Sequence, residues 1–183
     1  MVNGLQHIAS YSVREVLQNG TAILIRAIRA DDKARLLRHF QGLSPRSVYY
    51  RFFGLRRSLT DDDLRRLTEL DLINHVGLAA TIHFDQDEHF MGVGRYIRKS
   101  HVPSAEVAFA VLDAYQGHGI GTLLLKHLAR IARSNGIERL EADVMGGNQQ
   151  MLEVLMNSGF REEQSYESGL VHVSLYINAV AAR

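Results

Sequence analysis

The stretch Tyr115–Leu125, YQGHGIGTLLL, sets three glycines at alternate positions between two apolar segments of different period. Before it runs AEVAFAVL (105–112), in which Val107, Phe109 and Val111 alternate with Ala108, Ala110 and Leu112. Both faces are apolar, as in a strand buried in the middle of a sheet. After it, residues 118–134 carry apolar side chains at helical spacing and stop at Asn135-Gly136. A strand that turns into a helix through glycines points successive N–H groups into one concavity. The first helical turn adds a partial positive charge there. Glycine is required because a Cβ would hold off an approaching phosphate oxygen. The turn therefore points to a ligand with phosphates.

The spacing is Gly117-x-Gly119-x-Gly121, followed by Thr122. A P-loop needs glycines five apart and a lysine before the Ser or Thr, and this stretch has no such lysine. The dinucleotide fingerprint GxGxxG is closer, with Glu141 or Asp143 at about the distance of a ribose contact. Its last spacing differs, the preceding strands read as antiparallel hairpins, and little chain remains for a second half-domain. A glycine turn of purely structural purpose is the other alternative.

The whole chain bounds these readings. Its 183 residues are 46% hydrophobic and 22% charged with a net charge of +1, which predicts one folded domain and no nucleic-acid partner. There is no cysteine, so neither disulfides nor cysteine metal sites are possible. The nine histidines show no metal-ligand spacing, and no metal is expected. Neither a secretory signal nor a bilayer-spanning run is visible, so a soluble cytoplasmic domain without a membrane partner is expected.

Residues 1–18 read as an N-terminal arm and residues 19–183 as a single domain. TAILIRAIR (21–29) is a first strand after the Asn19-Gly20 turn. Helices follow behind Asp31-Asp32, behind Ser44-Pro45 and behind Thr60 with its three aspartates. VGLAATIHF (76–84) and HFMGVGRYI (89–97) form a hairpin, 105–112 is the fourth strand and IERLEADV (137–144) the fifth. A helix over 149–157 and two closing strands, 160–166 and 170–177, complete a mixed α/β (α+β) chain of about seven strands.

Taken together, AVLDAYQGHGIGTLLL resembles motif A of the GNAT acetyltransferase superfamily, with Gln116, Gly119 and Gly121 in its signature positions. NQQMLEVLMNSGF (148–160) resembles motif B, an Asn followed by a helix ending in Gly-Phe. NGTAILIRAIRADD and LSPRSVYYRFFG are further similar to the acetyltransferase domain of the Pat-type bacterial protein lysine acetyltransferases. The resemblance implies a mostly antiparallel sheet splayed between strands four and five, with acetyl-CoA as cosubstrate in the gap. It implies that Phe109, Ala110 and Val111 meet the pantetheine and thioester. Gln116, Gly117, His118, Gly119, Ile120, Gly121 and Thr122 would meet the pyrophosphate, and Asn148 would contact the pantetheine or cap its helix.

The implied acceptor is a primary amine, a protein lysine foremost or else a small amine. A lysine amine is only about one part in 2,500 neutral at pH 7, roughly a 4.6 kcal/mol handicap that a positioned carboxylate relieves. Glu106 opens the otherwise apolar fourth strand and matches the catalytic base of the Pat-type enzymes. The alternative is a strand-edge glutamate in solvent or paired with Arg95 or Arg98. Many relatives place a tyrosine acid where this chain has Leu155. A non-catalytic acyl-CoA-binding module is therefore the competing function.

Overall fold

A computed structural model of the chain describes residues 8–85 and 87–180. Its strands are β1 (Ser12–Val16), β2 (Ala22–Ala27), β3 (His75–Phe84), β4 (Asp87–Arg98), β5 (Ser104–Val111), β6 (Arg139–Met145), β7 (Phe160–Glu167) and β8 (Leu170–Val180). They form one sheet in the order β1-β2-β3-β4-β5-β6-β8-β7, antiparallel everywhere except between β5 and β6. The helices are α1 (Lys33–Gln41), α2 (Pro45–Phe52), α3 (Asp61–Thr68), α4 (Ile120–Ser134) and α5 (Gln149–Met156).

The sheet has eight strands, one more than the sequence predicts, because residues 12–16 pair with β2 instead of lying in an arm. The reason they read as polar is visible. On its inward-facing side, Glu15 Oε1 bonds His127 Nε2 on α4 at 2.9 Å, and the neighbouring Tyr11 hydroxyl bonds His127 Nδ1 at 2.5 Å. Polar contacts anchor this edge strand, so the usual apolar alternation is weak.

Helix α4 covers one face of the sheet. Leu124, Leu125 and Leu128 pack there with Ile25, Leu78, Tyr96 and Leu140, all fully buried. Ile120 can reach the sheet because β4 offers Gly92, where a Cβ would stand 2.8 Å from the Ile120 Cγ2. Helices α1, α2 and α3 cover the other face, with Phe40, Val48 and Leu64 against Ala79, Phe90 and Val93. Ser44 caps α2 and Thr60 caps α3, each accepting the amide three residues on, as their sequences predict.

Asp32 stands at the N-cap of α1, as expected, but its carboxylate accepts the Arg29 amide at 2.8 Å and no amide of α1 itself. Asp32 is 1% exposed and holds the Arg26 guanidinium bidentately at 2.7 and 2.8 Å, while Glu88 takes the same arginine at 2.8 and 2.6 Å. This buried trio ties β2, β4 and the start of α1 together. Among the described residues, no helix is long and apolar enough to cross a membrane.

Candidate active site

Strands β5 and β6 pair over only three positions, Ser104–Arg139 to Glu106–Glu141, and then part. This is the splay that the fourth and fifth strands were expected to show. The gap is a cleft of about 470 Å³ floored by Val107–Val111 on one side and Ala142–Val144 on the other.

The register decides which backbone groups face it. Ser104 C=O accepts from Lys99, and Leu112 N–H donates to Met91 O at 2.8 Å, so even-numbered β5 residues bond to β4. Pro103 C=O accepts instead from Glu138 and Arg139 at the head of β6. Alternation therefore turns the polar groups of Phe109 and Val111 toward the gap, where no strand partners them, while the Val107 N–H still serves the last pairing with Glu141. Ala110 lines the cleft, but its amide and carbonyl belong to the β4 ladder. The phenyl of Phe109 lies in the core under α4, so its backbone alone faces the cleft.

At the far end of β5 the glycine turn closes the cleft. Gly117 and Gly119 hold φ of +75° and +90°, a region that side-chain-bearing residues rarely adopt. Gly119 is the N-cap of α4, so the amides of Ile120, Gly121 and Thr122 have no carbonyl within the helix to bond. Gly117, Gly119, Ile120, Gly121 and Thr122 all line the cleft. His118 does not: its ring folds back and Nδ1 donates to the Gln116 carbonyl at 2.8 Å.

Gln116 lines the cleft but spends its side chain on the scaffold. Its amide nitrogen donates to Val111 O at 3.0 Å and to Ser47 Oγ at 3.2 Å on α2. Asp113 accepts from Ser44 N at 3.0 Å, Ser44 Oγ at 2.7 Å and Ser47 Oγ at 2.9 Å. Partial burial pushes the Asp113 carboxyl up, but these bonds outweigh it and hold the group below its usual range. The sequence reading missed this lock between α2 and the turn, since a lone Asp and two serines far apart carry no motif.

Glu106 is exposed to the cleft and makes neither a hydrogen bond nor an ion pair among the described residues. The expected alternative partners are engaged elsewhere: Arg98 bonds the Asn135 carbonyl, and Arg95 meets His75 Nε2 at 3.3 Å. Its charge acts on Arg51 of α2, which also lines the cleft. Asn148 lines the cleft as well and caps α5, accepting from Met151 N at 3.3 Å. Leu155 is fully buried in the core, so the position of the missing tyrosine is a packing position here.

The model of the acetyltransferase (GNAT) family matches residues 47–160, which span α2, the splayed strands, the glycine turn and α5. The chain belongs to the GNAT acetyltransferase family. An acetyltransferase of Pseudomonas aeruginosa is 29% identical over 146 residues, covering 80% of this chain and 78% of that one. Acetyltransferase Pat of Mycolicibacterium smegmatis is 30% identical over 148 residues, covering 78% of this chain. The chain spans 42% of that relative's length. Among solved structures, the GNAT domain of S. lividans PAT superposes with a TM-score of 0.83 at 36% identity, covering 90% of this chain and 96% of that one. GNAT membership makes the protein an acetyltransferase.

Proposed function

We propose that this GNAT enzyme transfers the acetyl group of acetyl-CoA to the side-chain amine of a protein lysine, with Glu106 as general base. The observation that carries the reading is a carboxylate free of hydrogen-bond partners, placed in the cleft where β5 begins to part from β6. The cradle of amides at Ile120, Gly121 and Thr122 fits a diphosphate, and the gap-facing backbone groups of Phe109 with the N–H of Val111 fit an extended amide chain laid along β5. The Pat relatives in the comparisons support a protein acceptor.

The chemistry balances with these parts. Glu106 takes a proton from the ammonium, directly or through one water, and the neutral nitrogen attacks the thioester carbon. A gap-facing N–H, that of Phe109 or Val111, stabilises the oxyanion; one such donor is worth about 2.7–4 kcal/mol in acyl transfer. The C–S bond breaks, and the CoA thiolate takes its proton from solvent, since Leu155 supplies none. Glu106 passes its first proton to solvent, and the regenerated carboxylate then takes the second proton of the attacking nitrogen as the amide forms.

The test is mass spectrometry of lysate proteins incubated with acetyl-CoA, with and without the enzyme, alongside a thiol-release assay on polyamines and other small amines. New acetyl-lysines matched by thiol release support the reading. Release with small amines alone replaces the acceptor. Acetyl-CoA that raises Tm but is never consumed would leave only a binding module.

A further inference from the structure

The floor of the cleft beside Glu106 carries more positive charge than the protein neutralises. Arg95 stands on β4 directly opposite Ala108 of β5 and is 5% exposed. No described carboxylate pairs with it; its one hydrogen-bond partner is His75 Nε2. Burial, with Arg51 beside it, pushes the Arg95 guanidinium down to about 9. Burial and then Arg95 push His75 down to about 4, which leaves its ring neutral and able to accept from Arg95.

Arg51 lines the cleft with its guanidinium 5.0 Å from the Phe52 ring centre, and it makes no hydrogen bond to a described residue. Its neighbour Arg56 is already matched by an ion pair with Asp63. Glu106 is close enough to act on Arg51 through charge but forms no ion pair with it. Two guanidiniums, Arg95 buried and Arg51 half-buried at the cleft wall, each with five donors, thus share one carboxylate that pairs with neither. Buried charge is seldom left in that condition without a partner.

We propose that Arg51, backed by Arg95, is a carboxylate subsite of the acceptor pocket. The preferred acceptor is then an amine carrying an acidic group close by, a lysine with Asp or Glu as its sequence neighbour. The subsite rests on the acetyl-transfer reading above. The glycine cradle lies beyond the far end of β5, and the strand from Glu106 to Val111 spans about 17 Å, so a diphosphate held there does not reach the Glu106 end of the cleft. An acceptor carboxylate would take the fork of Arg51 bidentately and leave Glu106 to the amine. Arg95 touches no ligand in this scheme. It is a positioning residue, holding positive potential behind Arg51.

The experiment compares kcat/KM for lysine peptides that differ only in the flanking residue (Asp, Asn or Lys), in the wild type and in Arg51→Gln. The expected wild-type preference for Asp over Asn is tenfold or more, and Arg51→Gln should reduce that ratio to about one. Because the ratio is internal to each enzyme, a general loss of activity in the variant does not affect it. A wild-type ratio near one, or a preference kept by Arg51→Gln, overturns the subsite.

Free lysine is compared with cadaverine in parallel, to tell an α-carboxylate from an acidic neighbour in a chain. If no acceptor turns over, the acetyl-transfer reading fails, and the subsite is judged by succinate with CoA present. A Tm rise in the wild type that Arg51→Gln lacks keeps the subsite; no rise, or an equal rise in both, removes it.

Discussion

The Tyr50 hydroxyl on α2 donates to the Gly147 carbonyl in the β6–α5 loop at 3.0 Å, so one hydrogen bond joins the two flanks of the β5–β6 gap. Arg46 steadies the ring, with its Nε and Nη2 both 3.2 Å from the hydroxyl. Removing the hydroxyl should loosen the flanks with little effect on the core, because the bond is solvent-exposed. Tyr50→Phe is expected to raise KM for acetyl-CoA several-fold and to speed CoA release, with Tm within a few degrees of the wild type. Stopped-flow release of CoA checks this; an unchanged release rate would show that the bond does not restrain the cleft.

Glu106→Gln tests the base without changing the shape of the cleft. The loss at pH 7 should be about 10²- to 10⁴-fold in kcat, with acetyl-CoA affinity held near the wild-type value. The deficit should shrink between pH 7 and 9.5, because the amine then deprotonates unaided. A deficit constant across that range would point to misplacement of the acceptor rather than loss of the base.

Gly119→Ala should act through backbone conformation. No heavy atom lies within 4 Å of the added Cβ, so packing does not oppose it, but φ is +90°. A left-handed alanine costs about 1–2 kcal/mol, and a relaxed turn would re-aim the amides of Ile120 to Thr122. Weaker binding of CoA with a modest fall in Tm is expected, measured by calorimetry and thermal unfolding.

The buried trio predicts a large structural effect away from the cleft. Asp32→Asn leaves Arg26, 2% exposed, with Glu88 alone. Removing one partner of a buried pair costs about 3–5 kcal/mol, which chemical denaturation would read directly. A loss under about 1 kcal/mol would mean that Glu88 suffices.

Acid should destabilise the fold before any carboxylate is titrated. Burial pushes His39 and His75 down to about 4, against the pull of the Phe90 carbonyl, which accepts from His39 Nδ1 at 3.1 Å. In the unfolded chain both titrate near 6.5. The unfolded state therefore binds protons first, and the contribution of these two histidines falls as pH drops from about 7 to 4 and is flat above 7. For His39, 4% exposed, the loss is at most about 3 kcal/mol. The pH slope of unfolding should shrink in His39→Gln.

Much of this was legible because local rules governed it. The glycine turn, the Ser44 and Thr60 caps and the apolar β5 each follow from residues adjacent in the chain. The same rules missed β1, whose inward side is held by Glu15 bonding His127, 112 residues away. They also placed Asp32 at the start of α1, where it stands, without showing that it is the buried partner of Arg26.

Spacing along the chain was enough to give the family, the glycine turn at the start of α4 and the place of Glu106 at the head of β5, since it encodes strand, turn and helix N-terminus. Only the tertiary structure decided which β5 amides face the gap, because that parity depends on where β4 binds and β6 lets go. It alone brought Arg51, Arg95 and Glu106 to one place, from a helix and two strands. Charges that are distant in the chain act on one another only once folding brings them within a few ångströms, where water screens them less.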